Sequence, residues 1–425
     1  MKSTLLIRRA IVSWQLVAVL TLAGRAAFAA PLFDSKNSVS DILGVAHETD
    51  SLLVNPWGIV TGPEGNVHVA DNGTGYATLY APNGLLIGGT NDVHSITIPQ
   101  ASVTSGTLGM PTGVVANEEG IFNKNSNGFL ITSDTVSGPA HYLYATEDGA
   151  IVGVRESVDE ASGVIGVDES ASGAGYTGLT LSYVTGTDGK LEHQLYAANF
   201  AQGTIDVFDK TFSKLTLSST SNFTDPTPPA LPLNAAAGAF WSPFNVKNVD
   251  FVGRNLRGEI TTLRRIVVMY AVNTGTSAPL TDVPGVGNGY VSTFTPEGAF
   301  LRHLIPAGGL LNSPWGLAVA HAPVAGSRFA VILVGNHGDG QINAYAFTPD
   351  IAVTDGQHIG TLVKDVQGNP LAFDGLWDLH FGPKPFHPLE FLLNPCILDE
   401  DRTTLFFSAG QLGETHGLVG HILIP

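Results

Sequence analysis

A five-residue segment recurs six times along this chain of 425 residues. Its third position holds an aromatic residue or threonine, its fourth is mostly glycine, and its fifth is aliphatic. The third positions are Trp57, Thr112, Thr177, Phe244, Trp315 and Trp377. They lie 55 to 71 residues apart and each copy keeps the same internal order, so the pattern indicates a repeat architecture with one structural unit per copy.

The residues after each copy alternate between apolar and polar types over short stretches, for example 204–209 and 341–345. Alternation with a period of two, bounded by Gly, Pro, Asn and Asp, predicts β-strands and hairpins. Four antiparallel strands in each of six repeats predict an all-β, six-bladed β-propeller. The alternative is a seven-bladed ring with 214–239 as a degenerate blade, but the Pro and Ala content of that stretch favours a loop.

The two ends of the repeat array predict how the ring closes. The last repeat stops after its third strand, at 420–424, and an additional strand of the fourth type lies at about 39–44. Pairing these strands would remove the open sheet edge that an incomplete ring exposes. We therefore expect one propeller domain over residues 30–425.

The first residues have the pattern of a signal peptide. Lys2, Arg8 and Arg9 precede an apolar run at 10–23, and the small residues at 27–29 suit a cleavage site. The run is too short to span a bilayer, so we expect export to the periplasm or medium without a membrane anchor. The pair of arginines raises the twin-arginine route, but the flanking residues favour general secretion.

The charge of the chain limits its partners. Its net charge is −17, and removal of residues 1–29, with four basic and no acidic residues, would make it −21. An acidic surface of this size repels nucleic acid and anionic lipid. The single cysteine, Cys396, cannot form an internal disulfide and is expected to be a small buried residue. We expect a monomer.

Several segments resemble NHL-type propellers, and together they resemble an uncharacterised group of exported bacterial propeller proteins. The matching segments are 55–59, 69–75, 196–209, 242–246, 312–319, 334–345, 374–379 and 406–420. The resemblance implies a propeller over nearly the whole mature chain and brings no established activity. Six-bladed propellers include calcium-dependent lactonases, lyases and proteins that only bind, so the fold does not select among these functions.

Aromatic residues occupy the third position of four copies: Trp57, Phe244, Trp315 and Trp377. In a four-stranded blade the innermost strand begins where the second strand ends, so these residues should surround one mouth of the central channel. We expect them to bind a ligand by stacking, since partly exposed tryptophan suits apolar or sugar-like molecules. Packing between blades is the equally weighted alternative.

A second ring of polar residues is predicted where the second strands end. Its members are Asn72, Asp134, Asn199, Asn273 and Asn336, with Gly410 in the sixth repeat. Calcium takes six to eight oxygen ligands, so this ring is a candidate calcium site. The favoured interpretation is structural, because Asn and Asp tolerate left-handed conformations and cap turns.

Histidines near this ring are candidates for catalysis. His337 follows a ring residue directly, and His416 lies near Glu414 in the equivalent turn of the next repeat. Asp378 replaces the glycine that most copies carry. An imidazole beside a carboxylate could act as a general base or bind a transition metal. Turn hydrogen bonds and surface positions are the alternatives.

Three functions remain open. The favoured one is binding of a small, saccharide-like or polymeric ligand at the channel mouth. The alternative is a calcium-assisted hydrolase or lyase that uses the polar ring and a histidine. The third is a platform for protein interactions, which the fold allows but no particular residue indicates. Phosphate-binding loops and the nucleophile elbow of hydrolases are missing from the sequence.

Overall fold

A computed structural model describes residues 32–81, 94–101, 108–123, 125–186, 188–233, 235–254, 260–274, 280–321, 330–347, 356–365, 367–383 and 400–424. The predicted signal peptide at 1–29 and Cys396 lie outside the described residues. The regular structure of the described residues is almost entirely β-strand.

The strands in chain order are β1 (Asp34–Ser40), β2 (Glu48–Thr49), β3 (Pro56–Thr61), β4 (Val67–Asp71), β5 (Tyr76–Tyr80), β6 (Ser95–Thr97), β7 (Pro111–Ala116), β8 (Leu130–Ser133), β9 (Val136–Pro139), β10 (Tyr142–Thr146), β11 (Ala150–Val154), β12 (Val164–Asp168), β13 (Tyr176–Thr185), β14 (Leu191–Asn199), β15 (Thr204–Asp209), β16 (Phe240–Arg254), β17 (Ile260–Asn273), β18 (Tyr290–Phe294), β19 (Phe300–Ile305), β20 (Pro314–His321), β21 (Ala330–Asn336), β22 (Ile342–Phe347), β23 (His358–Thr361), β24 (Leu376–Pro383), β25 (Glu400–Gly410) and β26 (His416–Leu423). Helical segments are short: α1 (Glu118–Phe122), a 3₁₀ turn (Ser170–Ser172) and a helical turn (Gln411–Glu414). None of the helices in the described ranges is long and apolar enough to cross a membrane.

Within the described residues, the strands form six blades, which confirms the six-bladed propeller. Blade 1 contains β3–β6, blade 2 contains β7 and β10–β12, and blade 3 contains β13–β15. Blades 4 and 5 contain β16–β19 and β20–β23, and blade 6 contains β24–β26 with β1 and β2. Strands β8 and β9 form a separate hairpin between the first two strands of blade 2.

Blade 3 departs from the expected four strands, because its described sheet has only three. An isolated bridge between Phe208 and Lys214 stands in the place of a fourth strand. The following stretch, 226–232, is rich in proline, which cannot donate to a strand ladder. No strand is found in the described residues of 214–239, so the seven-bladed alternative is wrong.

The innermost strands touch one another in the order β3, β7, β13, β16, β20 and β24, and β24 touches β3 again. Glycine in the repeated segment permits this approach. A Cβ atom on Gly58 would lie 2.9 Å from the Cα of Gly113, and one on Gly113 would lie 2.9 Å from the Cα of Gly178. Separations this short are forbidden to real side chains, so Gly58 and Gly113 are required for the close approach of blades 1, 2 and 3.

The ring closes as predicted, by pairing of an N-terminal strand with the last blade. Strand β1 runs antiparallel to β26, with Val39 opposite Val419. The strand spans Asp34–Ser40, however, and not 39–44. The chain turns after Ser40, whose hydroxyl accepts a hydrogen bond from the Ile42 N–H at 3.1 Å, and Gly44 adopts a φ of 82°. Residues 38–40 of this strand are buried and the polar residues 34–37 are exposed or half-buried, so apolar alternation does not mark it in the sequence.

Apolar side chains fill the spaces between neighbouring blades. Between blades 1 and 2, for example, Val60 packs in one cluster with Tyr144 and Val152. Burial of apolar surface is the main force that holds such sheets together. The ring is therefore closed by its sheet edges and packed between its faces.

Candidate functional site

The start of each innermost strand and the turn after the second strand lie at the same end of a blade. In blade 1, Pro56 pairs with Asp71, the last residue of β4. In blade 5, Pro314 pairs with Asn336, the last residue of β21. We call this end of the propeller the mouth face.

The predicted aromatic residues meet near the axis at this end. The rings of Trp57 and Trp377 stack with centroids 3.6 Å apart, and Trp315 meets both edge-on. Phe244 lies 5.8 Å from Trp377. All four side chains are at most 2% exposed. We call these four residues the aromatic plug; their burial favours packing over the ligand-stacking role expected from sequence.

His337 lies on the plug and between two carboxylates. Its ring stacks on Trp377 with centroids 3.9 Å apart. Its Nδ1 lies 3.6 Å from Oδ2 of Asp282, and its Nε2 lies 3.2 Å from Oε1 of Glu414. Burial disfavours the charged imidazole, but Asp282 and Glu414 outweigh burial and raise the pKa of His337 to about 9. The imidazole is therefore protonated at neutral pH.

Two asparagines link Glu414 to a buried glutamate. Asn55 donates from Nδ2 to Oε2 of Glu414 at 3.2 Å and to Oδ1 of Asn72 at 3.3 Å. Asn72 donates to Oε1 of Glu147 at 2.8 Å, and the backbone N–H of Leu280 donates to Oε2 of Glu147 at 3.1 Å. Burial raises the pKa of Glu147, and these donors oppose the shift. A carboxyl group with a raised pKa can hold a proton nearer neutral pH.

These side chains form one connected group, which we call the mouth network: Asn55, Asn72, Glu147, Asp282, His337 and Glu414. They come from blades 1, 2, 4, 5 and 6. Asp282 is buried; burial opposes its charge, but His337 keeps its pKa below the usual value. The network thus contains an imidazolium, at least one ionised carboxylate and a glutamate with a raised pKa.

Glu414 occupies a strained turn. Leu412, Gly413 and Glu414 have φ values of 53°, 66° and 66°. The left-handed conformation costs a non-glycine residue on the order of 1–3 kcal/mol. Glu414 keeps 41% of its side chain exposed while it contacts His337 and Asn55. Such strain, held by surrounding contacts, is typical of functional sites.

Of the predicted histidines, the structure brings His337 into the mouth network and leaves His416 outside it. The Nδ1–H of His416 donates to Oδ2 of Asp41 at 2.6 Å, near the closing strand. The other carboxylate oxygen of Asp41 accepts from the backbone N–H of Gly417. His416 therefore joins β26 to the segment that follows β1.

Asp378 lies on β24, fully buried within the ring rather than in the mouth network. Its carboxylate accepts from the backbone N–H groups of Ile59 at 3.1 Å and Leu379 at 2.9 Å. The ammonium of Lys247, from blade 4, lies 3.2 Å away and also faces the Trp315 ring. Burial raises the pKa of Asp378, and Lys247 opposes the shift. The geometry makes Asp378 a partner in a buried ion pair.

The predicted polar ring is not assembled as a cation site. Asn199 donates to Asp206 on β15, Asn336 donates to Asp339 in its own turn, and Asn273 donates to the Phe200 carbonyl. Asp134 lies exposed at the tip of the β8–β9 hairpin, away from the other members. Among the described residues, no group of three or more His, Cys, Asp or Glu could hold a metal ion. Only Asn72 belongs to the mouth network.

Sequence reasoning missed Asn55, Glu147, Asp282 and Lys247. A signal existed for Glu147. Because Pro111 pairs with Thr146, the second strand of blade 2 is β10 rather than β8, and Glu147 is the equivalent of Asn72. The inserted hairpin hid this correspondence and led to Asp134. The sequence holds no comparable signal for Asp282, which lies in a long loop.

A cleft of about 380 Å³ opens at the opposite end of blades 1 and 2. His68 stacks there on Tyr142 with centroids 3.6 Å apart. Burial lowers the pKa of His68 to about 3 and that of His141 to about 4, so both imidazoles are neutral. We favour the mouth face as the site, because polar groups from five blades converge there and one of them is strained.

No model of a known protein family matches the chain. Uncharacterized protein L690 of Acanthamoeba polyphaga mimivirus is 30% identical over 381 residues, which cover 89% of this chain and 82% of that protein. The chain belongs to the family of this viral protein. Uncharacterized protein R648 of the same virus is 28% identical over 387 residues, which cover 90% of this chain and 78% of that protein. The expected relation to exported bacterial propellers stays a prediction.

Solved structures with similar architecture include regucalcin, a calcium-binding protein from Agrobacterium tumefaciens, with a TM-score of 0.42, 12% identity, and coverage of 92% of this chain and 94% of that one. Virginiamycin B lyase from Staphylococcus aureus has a TM-score of 0.36 and 10% identity, and the match covers 92% of this chain and 99% of the lyase. A protein of unknown function from Bacteroides thetaiotaomicron has a TM-score of 0.43, 11% identity, and coverage of 92% and 73%. Similarity at this level carries no argument about activity.

Proposed function

We propose that the chain is an exported β-propeller that binds a small, saccharide-like or polymeric polar ligand at its mouth face. The mouth network carries the proposal. Its side chains come from five blades, rest on a buried aromatic base and include the strained Glu414. Convergent polar groups, perturbed pKa values and stored strain together are typical of binding sites.

A ligand screen tests the proposal, with the thermal midpoint of the purified protein as readout. Sugars, polyols, amines and carboxylic acids are added singly, since a ligand that binds only the folded protein raises the midpoint. Each active compound is tested again on Asn72→Ala, which breaks the link between Asn55 and Glu147. The matched control is Asn66→Ala, in the turn between β3 and β4 at the opposite end of blade 1.

Loss of the midpoint shift in Asn72→Ala with retention in Asn66→Ala would support a site at the mouth face. The reverse pattern would place the ligand in the cleft between blades 1 and 2 and overturn the proposal. A shift that survives both substitutions would overturn it as well.

A second candidate function is acid–base catalysis, the hydrolase or lyase alternative. His337 has a pKa of about 9 and Glu147 has a raised pKa, and both stand near the carboxylate of Glu414. A protonated imidazole and a carboxyl group with a raised pKa beside a carboxylate favour proton transfer. A calcium-assisted version has less support, since the predicted amide ligands are engaged elsewhere.

Chemical conversion of bound ligands distinguishes the binding function from acid–base catalysis. Each active ligand is incubated with the protein and followed by mass spectrometry, alongside Glu147→Gln. Conversion that disappears in this variant while binding persists would favour catalysis. Binding without conversion of any active ligand would favour the binding protein.

Export rests on the sequence of residues 1–29. Lys2, Arg8 and Arg9 before an apolar run, with small residues at 27–29, have the order of a cleavable signal. N-terminal sequencing of protein collected outside the cytoplasm should begin at Ala30. A chain that still begins at Met1 would contradict export by cleavage.

A further inference from the structure

We propose that the cleft between blades 1 and 2 is a second binding site, which takes an uncharged aromatic compound that carries a hydroxyl group. The cleft opens at the end of the propeller opposite the mouth face and shares no residue with the mouth network. This inference is therefore independent of the binding function proposed for the mouth face, and either can fail alone.

The cleft has the size and the walls of a small-molecule site. Its volume is about 380 Å³, and sites for small molecules measure about 300–1,000 Å³. Apolar side chains from both blades line it: Ala77, Leu79, Ile96, Ile121 and Val154. Most of them belong to the hydrophobic cluster that joins these two blades, so the walls are part of the packed interior.

Two polar atoms from different blades converge beside Gly62, in the turn between β3 and β4. A Cβ atom on this glycine would lie 2.6 Å from the hydroxyl oxygen of Tyr142, on β10, and 3.6 Å from Nε2 of His68, on β4. The turn is fixed by a hydrogen bond from the Gly62 N–H to the Asn66 carbonyl at 2.8 Å. The lack of a side chain at Gly62 therefore lets a hydroxyl group and an imidazole nitrogen meet at one wall of the cleft.

The polar side chains of this wall lack hydrogen-bond partners in the described part of the chain. His68, His141, Tyr142 and Tyr144 line the cleft, and none of these four side chains makes a hydrogen bond to another described residue. Tyr144 is buried and Tyr142 is only 8% exposed. Buried polar groups are nearly always hydrogen-bonded, so we infer that the molecule that fills the cleft supplies their partners.

These groups favour a ligand that both donates and accepts hydrogen bonds. Burial lowers the pKa of His68 to about 3 and that of His141 to about 4, so both imidazoles are neutral near pH 7. A neutral imidazole has one donor and one acceptor, and a tyrosine hydroxyl can act as either. A hydroxyl group on the ligand matches both kinds of side chain.

The cleft disfavours a charged ligand. The burial that keeps two imidazoles neutral also penalises a charge on the ligand. Arg155, which lines the cleft, already donates to the Ser157 hydroxyl at 2.8 Å and to the Pro139 carbonyl at 3.0 Å. Glu64 and Glu156 are exposed, so solvent screens their charge. The stacked rings of the wall and its apolar side chains favour an aromatic body.

Four compounds that share a methyl-substituted benzene ring test the inference: p-cresol, toluene, 4-methylbenzoate and 4-methylbenzylammonium. In calorimetric titrations of the purified protein at pH 7, p-cresol should bind most tightly. Toluene, which lacks the hydroxyl group, should bind about threefold to tenfold more weakly, the loss expected for one neutral hydrogen bond. The two charged compounds should also bind more weakly than p-cresol.

Variants that remove one polar group and keep an aromatic ring locate the site. Tyr142→Phe and His68→Phe should each weaken p-cresol by about threefold to tenfold and leave toluene unchanged. Tyr76→Phe, at the mouth end of β5, is the matched control and should leave both compounds unchanged. Circular dichroism at the working temperature checks folding, and either of the first two variants decides the matter if the other is unfolded.

Equal or tighter binding of toluene or of a charged compound would overturn the ligand class. Binding of p-cresol that is unchanged in the folded Tyr142 and His68 variants would overturn the cleft as its site. Absence of p-cresol binding would show that the cleft holds only solvent and would overturn the inference. None of these outcomes bears on the mouth face, which is tested by the Asn72 and Asn66 comparison.

Discussion

Raising the pH from 6 to 9 should remove a stabilising contribution that His337 makes to the folded protein. Its imidazole is 9% exposed and lies between Asp282 and Glu414 on the ring of Trp377. These carboxylates raise its pKa from 6.5 to about 9 against the effect of burial. A group whose folded pKa is raised stabilises fully below its unfolded pKa and loses that effect as the pH passes its folded pKa.

The size of the effect follows from the shift. Each pKa unit corresponds to about 1.36 kcal/mol, so the full contribution below pH 6 is about 3 kcal/mol. By the linkage relation it falls to roughly 1.4 kcal/mol at pH 8 and roughly 0.4 kcal/mol at pH 9. These free energies are upper limits, because Glu414 is partly exposed and solvent screens its interaction with His337.

Urea titrations of the wild type and of His337→Gln at pH 6, 7, 8 and 9 measure this contribution. Glutamine keeps a polar group at the position and does not titrate, so the difference in unfolding free energy isolates the imidazole from other titrating groups. The difference should shrink by about 2–3 kcal/mol between pH 6 and pH 9. A difference that stays constant over this range would refute the protonated state of His337 and the electrostatic account of the mouth network.

Three further results are expected. Asp378→Asn should destabilise the protein by about 3–5 kcal/mol because it leaves the Lys247 ammonium partly buried without its counter-charge. A second substitution in the same protein, Lys247→Met, should restore much of the lost thermal midpoint. Absence of any recovery would contradict the ion-pair explanation. Gly113→Ala should lower the free energy of unfolding by about 1–3 kcal/mol, since its Cβ would lie 2.9 Å from the Cα of Gly178. Gly309→Ala is the control, because its Cβ would meet only a carbonyl oxygen at 4.0 Å. Equal thermal midpoints of the two variants would argue against backbone contact between blades. Calcium should leave the thermal midpoint unchanged relative to chelator, because Asn199, Asn273 and Asn336 already donate hydrogen bonds within the protein. A rise in the midpoint that Asn199→Ala abolishes would restore the calcium site.

Much of the candidate site could not be read from the sequence, for reasons that particular residues illustrate. The repeat pattern placed His337 and Glu414 in equivalent turns of successive repeats, and their side chains lie 3.2 Å apart. Asp134 was misplaced because an inserted hairpin resembles the second strand of a blade. Asp378 was recognised as a departure from glycine, but its partner Lys247 lies 131 residues away and carries no repeat signal.

The amino-acid pattern alone determined the number of blades and the closure of the ring by an N-terminal strand that pairs with the last blade. Those properties follow from period-two alternation, turn residues and the interval between copies, all of which are local in the chain. Tertiary structure alone decided that the aromatic ring is a buried plug and that six polar side chains from five blades join above it. Burial, hydrogen bonding and pKa depend on distances between segments hundreds of residues apart, and local patterns do not encode those distances.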